Sequence, residues 1–244
     1  MRILDYPLFL ELTIIKTIVS VKLFIQFRIT VATFKIPAIQ KALAHMQSFR
    51  LWSEEEREIS MLQTLGELEE QKNIWIFGYG SLVWRPEFTY EESRHAILEG
   101  YSRSLCLWSC VNRGTPEQPG LVFGLKHGGI CEGRVYRIPN ENILGQFRML
   151  WKREMPSASY VPMWLNCQTE EGIVKALVFV MDTETDAYIG DLSEDETIDI
   201  VLNASGTYGP CHEYVIQTSD ALARSGVKDD ELCCLSEKIR QRLR

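Results

Sequence analysis

The sequence predicts an α+β domain in which a small barrel or curled sheet packs against helices on its outside. Short apolar runs rich in β-branched and aromatic residues recur along the chain and indicate buried strands. Other segments space their apolar residues as helices do, without the regular strand–helix alternation of parallel α/β folds. The chain has 244 residues, 45% of them hydrophobic, with six tryptophans, enough for one domain with a sizeable core.

The predicted strands are short apolar runs bounded by glycine, proline or polar residues, a pattern typical of strands. The sequence His127-Gly128-Gly129 is predicted to be a turn between two of them, because adjacent glycines favour turns. We predict strands at residues 74–77, 96–110, 121–125, 133–138 and 174–181.

Two helices are predicted near the C-terminus. Ser193 and Glu196 fit the Ser-x-x-Glu capping box, so a helix is expected to begin there and to run to about Asn203. A last helix is expected from about Asp230. Its apolar face carries Leu232, Leu235, Ile239 and Leu243.

The N-terminal part differs from the rest of the chain. Residues 1–45 contain six basic and two acidic residues, and a charge recurs every five or six residues, which argues against a transmembrane span. We expect an atypical extension translated upstream of the usual start, with Met46 as the alternative start. A membrane-surface helix or an organelle-targeting segment stays open. A lead-in helix within residues 46–72 precedes a catalytic domain at residues 73–244. That helix has apolar residues at helical spacing, namely Leu62, Leu65 and Leu68.

The charge and the cysteines restrict the class of protein. A net charge of −7 argues against nucleic acid as the main partner. The seven cysteines include no Cys-x-x-Cys pair, and no secretory signal is recognisable. We therefore expect a cytoplasmic protein with free thiols that pack mostly as small apolar groups.

A glycine-rich turn follows the first predicted strand. Gly78 and Gly80 stand on either side of Tyr79, and Ser81 follows. Two glycines allow a sharp turn and a close approach of the backbone to another group. Such a turn exposes successive N–H groups that suit an anionic or carbonyl oxygen. The alternative is a turn in which the glycines serve only the turn itself.

A carboxylate lies on the apolar face of the helix predicted from Asn140 to about Met155, where Pro156 ends it. At about 100° per residue, Glu154 falls inside the apolar stripe, whereas Lys152 and Arg153 fall outside it. Desolvation and the negative end of the helix dipole would raise the pKa of Glu154, as a general acid or base near neutral pH requires. Alternatively, Glu154 reaches solvent or pairs with an arginine such as Arg113. The stripe comprises Ile143, Leu144, Phe147, Leu150 and Trp151.

Four motifs occur in order at residues 78–84 (Gly-Tyr-Gly-Ser-Leu-Val-Trp), 113–116 (Arg-Gly-Thr-Pro), 133–138 (Gly-Arg-Val-Tyr-Arg-Ile) and 150–155 (Leu-Trp-Lys-Arg-Glu-Met). They resemble the ChaC family of glutathione-specific γ-glutamylcyclotransferases, most closely its bacterial branch, over about residues 50–240. The resemblance implies a γ-glutamylcyclotransferase-like fold, a small mixed β-barrel flanked by α-helices. It also implies cleavage of glutathione to 5-oxoproline and cysteinylglycine without a metal or cofactor.

The resemblance also implies the site residues. The catalytic glutamate maps onto Glu154, which would take a proton from the α-amine and pass it to the departing cysteinyl nitrogen. Backbone N–H groups of residues 79–82 would hold the α-carboxylate or the developing oxyanion. Tyr79, Arg113 and Tyr160 are weaker candidates for substrate contacts. The substrate cavity maps onto Gly78, Tyr79, Gly80, Ser81, Leu82 and Val83.

The chain departs from the family near its C-terminus. Cys211 stands where many members have Asn, two residues before a strand-like Glu-Tyr segment. The departure concerns this side of the site and not the central glutamate. A metal site or a cysteine nucleophile built on Cys211 and His212 lacks the usual spacing or direction.

Other functions fit the sequence less well. Tyr79 and Val83 occupy the flanking positions of a Gly-x-Ser-x-Gly elbow around Ser81, which argues against a serine hydrolase. No lysine follows the glycines, as a phosphate loop would require. A non-catalytic γ-glutamyl or glutathione-binding regulator stays open as the alternative function. The sequence does not indicate the oligomeric state.

Overall fold

The computed structural model describes residues 50–67 and 73–244. The predicted extension at residues 1–45 lies outside these residues. Helix α1, Glu54–Gly66, corresponds to the predicted lead-in helix and begins at a capping box formed by Ser53 and Glu56. Within the described ranges, no helix is long and apolar enough to span a membrane.

Five strands form a closed barrel, which confirms the predicted α+β architecture. Their order around the barrel is β1-β3-β2-β4-β5, and β5 closes it by pairing in parallel with β1. The other neighbouring pairs are antiparallel. The strands are β1 Ile74–Gly78, β2 Glu92–Ser109, β3 Gly120–Ile138, β4 Tyr160–Thr169 and β5 Gly172–Met181.

The predicted turn at His127-Gly128-Gly129 is wrong, because β3 is continuous through it. Gly128 and Gly129 have φ angles of 96° and 81°, and the pairing with β2 shifts register beside Gly100, whose φ is 82°. Positive φ angles on both strands produce a bulge, which bends a long hairpin instead of ending it. The bend lets two strands of 18 and 19 residues follow the curve of the barrel.

The structure adds strand β4, which the sequence analysis did not predict. Pro162 lies within it and pairs with Phe179 of β5. Most of the strand is partly or fully exposed, so it lacks the buried apolar run by which the other strands were predicted.

Four further helices pack outside the barrel: α2 Ile143–Glu154, α3 Glu194–Asn203, α4 Cys211–Arg224 and α5 Asp230–Arg242. The capping box of Ser193 and Glu196 begins α3 as predicted. Helix α2 does not begin after an Asn140 cap. Asn142 takes the left-handed conformation (φ 57°), which asparagine tolerates, and the helix begins at the next residue.

The predicted strand around Glu213 and Tyr214 is wrong, because these residues lie in the first turn of α4. Before it, the two-residue strands β6 (Ser205–Gly206) and β7 (Gly209–Pro210) form a small hairpin. Helix α4 packs against β3 and the glycine turn, so its N-terminal residues reach the middle of the molecule.

The core consists mainly of two apolar clusters. One fills the barrel and the space under α3, α4 and α5. The other lies between the barrel and α1 and α2, and it includes Phe147, Trp151 and Phe179. Because Trp151 and Phe147 fix α2 against the barrel wall, the last residue of α2 is held over the end of β1.

Candidate active site

Glu154 is largely buried at the C-terminal end of α2. Its side chain is 15% exposed, and Leu150 and Trp151 of the predicted stripe are buried. The prediction for Leu144 is wrong, since that side chain, the second of the helix, is 45% exposed. Glu154 pairs with Arg153 and not with Arg113. The structure thus shows the buried carboxylate, and it also pairs this carboxylate with an arginine, although not with the one that was suggested.

Burial raises the pKa of Glu154 above the usual range of a carboxyl. Arg153 opposes this shift, since its Nε lies 3.1 Å from Oε1, and Glu87 adds to it by charge repulsion. Oε1 is buried and accepts no hydrogen bond within the described part of the chain, because the arginine contact is poorly aligned. Glu154 is therefore a carboxylate with an unused acceptor, held in a site of low polarity.

Arg153 connects Glu154 to the glycine turn. The angular argument placed it away from the apolar stripe, yet its side chain is only 14% exposed. Nη2 donates to Oγ of Ser81 (2.8 Å), and Nη1 donates to Oε2 of Glu87 (2.9 Å) and to the carbonyl of Arg85. One guanidinium thus fixes the distance between the carboxylate and the turn.

The glycine turn continues from β1 into a short 3₁₀ turn, Ser81–Val83. The N–H of Val83 donates to the carbonyl of Gly80 (3.0 Å), so it is not available to a ligand. The N–H groups of Ser81 and Leu82 begin the turn and have no acceptor within it. Arg103 donates to the carbonyl of Tyr79 (2.7 Å) and fixes the turn from behind.

Two cavities meet at Glu154. The larger has a volume of about 290 Å³, near the lower limit for small-molecule sites, and reaches from Glu154 to Arg113. The smaller, of about 30 Å³, lies between Glu154 and the glycine turn. Both are lined by Ser81, Glu154, Tyr160 and Tyr214.

The structure brings only some of the predicted substrate residues to these cavities. Tyr79, Gly80, Ser81 and Leu82 line the small cavity with Glu154. Gly78 belongs to β1, where an added Cβ would lie 3.1 Å from Leu82 and from Tyr136, so its role is close packing. The side chain of Val83 packs against the apolar core.

Three tyrosines surround the space beside Glu154, and they differ in the hydrogen bonds they make. Tyr79 donates to the carbonyl of Phe179 (2.8 Å) and Tyr160 to that of Phe123 (2.7 Å). Tyr214 instead accepts from the N–H of Phe123 (3.1 Å). Its own hydroxyl hydrogen therefore stays available to a ligand. The hydroxyl lies beside the glycine turn, since a Cβ added to Gly80 would be 3.3 Å from the hydroxyl oxygen.

Cys211 has a structural role. Its thiol donates to the carbonyl of Leu121 (3.2 Å) and accepts from the Leu121 N–H (3.3 Å), joining α4 to β3. Burial raises the pKa of Cys211 to about 11, which leaves the thiol protonated near neutral pH. The sequence argument against a cysteine nucleophile assumed that Cys211 and His212 lie in a strand, and it is wrong because both lie in a helix. The burial of the Cys211 thiol and its two hydrogen bonds are the structural reasons against a nucleophilic role.

Sequence reasoning missed Tyr214 and the contacts of Arg153. A helical pattern was present from Tyr214 onward, because the buried residues that follow recur at intervals of three or four. They are Val215, Thr218, Ser219, Ala221 and Leu222. The sequence holds no comparable signal for Arg153. Its position on the helix is outside the apolar stripe, and its long side chain bends back to the cleft.

Comparison with known proteins identifies the family that this chain resembles. The family model described as ChaC-like protein matches residues 74–242. The glutathione-specific γ-glutamylcyclotransferase of Escherichia coli is 35% identical over 203 residues, covering 83% of this chain and 88% of that protein. Human glutathione-specific γ-glutamylcyclotransferase 1 is 30% identical over 173 residues, covering 68% and 78%.

A solved structure has the same fold. The glutathione-specific γ-glutamylcyclotransferase of yeast superposes with a TM-score of 0.65 at 23% identity, covering 70% of this chain and 97% of the yeast chain. The family match, the two relatives and the shared barrel agree on one assignment. The chain belongs to the ChaC family.

Proposed function

We propose that the protein is a glutathione-specific γ-glutamylcyclotransferase, a lyase that converts glutathione to 5-oxo-L-proline and L-cysteinylglycine. The observation that carries the proposal is the buried, raised-pKa carboxylate of Glu154, which lines a small cavity together with the glycine turn. The names and the identity of the two relatives support the same substrate.

The reaction is an internal displacement. The α-amine nitrogen of the γ-glutamyl group forms a bond to the γ-carbonyl carbon, and the bond from that carbon to the cysteinyl nitrogen breaks. The amine loses one proton and the departing nitrogen gains one, so neither an oxidant nor water is consumed. The nucleophile is tethered to its target, and the protein chiefly has to fold the γ-glutamyl arm and move this proton.

Glu154 is the proposed carrier of that proton. Its free Oε1 can accept from the α-amine, and the protonated carboxyl can then donate to the departing nitrogen. A raised pKa suits both steps, because the group must gain and lose a proton near neutral pH.

The turn and Tyr214 are proposed to hold the negative charges. Backbone N–H groups of Ser81 and Leu82 would bind the α-carboxylate or the developing oxyanion. The Tyr214 hydroxyl, with its hydrogen unused by the protein, would donate to the same region. Tyr79 and Tyr160 donate to backbone carbonyls and would form the walls of the space that holds the folded arm.

We also propose that the activity is cytoplasmic and needs no cofactor. The seven cysteines are all free thiols, as in a reducing compartment. The proposed chemistry uses only groups of this chain and of the substrate.

The test is release of 5-oxoproline by the purified protein from glutathione and from γ-glutamyl dipeptides that lack the glycine. We expect product from glutathione at the highest kcat/KM. If glutathione and the dipeptides all bind but none yields 5-oxoproline, the protein is a γ-glutamyl-binding regulator and the enzymatic proposal is wrong.

A further inference from the structure

We infer that Arg113 binds the glycine carboxylate of glutathione and so sets the preference for a substrate that ends in a free carboxylate. This inference rests on the proposed function. It assigns a binding role to a residue of the large cavity that Glu154 also lines.

Arg113 is a buried cation that forms no ion pair with a carboxylate of the described residues. It is 6% exposed, and no Asp or Glu of the described ranges forms an ion pair with it. Nη1 donates to the carbonyl of Pro210 (3.2 Å), and no acceptor within those ranges pairs with the remaining donors of the guanidinium. A buried charge without a partner is costly, so a protein that retains one usually supplies it to a ligand.

The surroundings favour an anion at this position. The guanidinium carbon lies 5.9 Å from the ring centre of Trp84 and 5.4 Å from that of Tyr214, so aromatic faces cover part of it. Burial lowers the pKa of Arg113, and the charges of Glu213 and Arg85 act on this pKa in opposite directions. A carboxylate that forms two hydrogen bonds to the guanidinium would restore the favourable charge balance.

The loop that carries Arg113 is rigid. An added Cβ on Gly120 would lie 2.1 Å from the carbonyl oxygen of Arg113, and one on Gly206 would lie 2.6 Å from the carbonyl carbon of Asn112. Three backbone segments therefore touch at this point, and only glycine permits it. Ser109 Oγ also accepts from the N–H of Arg113 (2.9 Å). Such a loop can hold a charged group at a fixed distance from the reacting atoms.

The geometry selects the glycine carboxylate over the α-carboxylate. Cyclisation brings the α-amine to Glu154 and so confines the α-carboxylate to the small cavity beside the glycine turn. Tyr214 lies between the two positions, because its hydroxyl is near Gly80 and its ring is beside Arg113. Beyond the γ-carbonyl, cysteine and glycine extend roughly 7 Å, so the glycine carboxylate is the substrate anion that can lie away from the reacting atoms.

The test compares two substrates in the same enzyme preparation: glutathione, and glutathione whose glycine carboxylate is replaced by a carboxamide. In the wild type we expect kcat/KM for the amide to be about 10- to 100-fold lower. In Arg113→Met the two values should become nearly equal, at about the level of the wild type with the amide. Arg113→Lys should keep part of the preference, because it retains the charge but not the two-point geometry.

The ratio of the two values does not depend on the fraction of folded enzyme, so partial unfolding of a variant does not affect the result. If Arg113→Met lowers both values by the same factor and keeps the wild-type ratio, Arg113 does not bind this carboxylate. If the ratio changes instead for a substrate amidated at the α-carboxylate, the anion at Arg113 is the other one. If the wild type makes no 5-oxoproline from any substrate, the proposed function has failed first.

Discussion

Two largely buried arginines line the cleft, and the protein uses their charges differently. Arg153 contacts two carboxylates, a serine hydroxyl and a backbone carbonyl, so the protein itself satisfies its guanidinium. Arg113 contacts one carbonyl and two aromatic rings and has no carboxylate partner among the residues described. The first arginine positions catalytic groups, whereas the second leaves its charge for a ligand.

The difference shows how one cleft can combine a raised-pKa base with an anion site. An uncompensated cation beside Glu154 would lower the pKa of Glu154 and make this carboxylate a weaker base. The protein balances Arg153 with Glu87, whereas Arg113 has no carboxylate partner among the described residues. The predictions below test this difference, from the largest expected effect to the smallest.

The largest effect is expected for Glu154→Gln, which keeps the shape of the side chain but cannot accept a proton. We expect kcat for 5-oxoproline release to fall about 100- to 10,000-fold, because general acid–base catalysis contributes about that much. Steady-state assay of the variant gives the value, and circular dichroism shows whether it is folded.

Glu141→Gln is the matched control for that variant. It makes the same chemical change at an exposed position shortly before α2, so kcat should equal that of the wild type. Retained turnover in Glu154→Gln would remove Glu154 from the mechanism.

Arg153→Met is expected to move the pH profile. The active base is the carboxylate, so kcat/KM falls as the pH drops through the pKa of Glu154. Removing the neighbouring cation raises that pKa further, and the acid limb should shift to higher pH by about one unit. Arg153→Lys should shift it less. An unchanged limb in Arg153→Met would mean that the guanidinium serves only packing.

Glu87→Gln is expected to produce the opposite and smaller shift. Glu87 raises the pKa of Glu154 by charge repulsion, so its neutralisation should move the acid limb to lower pH. A pH titration of kcat/KM in both variants measures the two shifts together. A shift in the same direction for both would contradict this electrostatic account.

Cys211 offers the smallest predicted effect on catalysis. Cys211→Val removes both hydrogen bonds to Leu121 and leaves buried backbone groups unpaired, at a cost of about 1–3 kcal/mol in the free energy of unfolding. Cys211→Asn can still donate and accept, so it should keep more stability and activity than the valine variant. Urea denaturation measures the difference, and equal losses would contradict the hydrogen-bonding role.

Local patterns predicted much of this molecule because they depend on neighbours in sequence. The position of Glu154 in an apolar stripe, the glycine turn after β1 and the capping box of Ser193 and Glu196 depend on residues within a few positions of each other. The sequence therefore located the proposed base and one wall of the site before the structure was known.

Contacts between distant segments were not predictable in this way. Three contacts join residues that are far apart in the chain. They are the ion pair of Arg153 with Glu87, the approach of the Tyr214 hydroxyl to Gly80 and the approach of Gly206 to Asn112. Arg113 illustrates the limit most clearly. The sequence showed that Arg113 belongs to a family motif, but its burial, and the absence of a carboxylate partner among the described residues, depend on three segments that meet only in the fold.

The central claim, that the two arginines have separate tasks, is tested most directly by one measurement. It is kcat/KM as a function of pH for glutathione and for its glycine amide, in Arg153→Met and in Arg113→Met. We expect Arg153→Met to shift the acid limb and keep the substrate ratio, and Arg113→Met to remove the ratio and keep the limb. If both variants changed both quantities equally, the division of labour proposed for the cleft would be wrong.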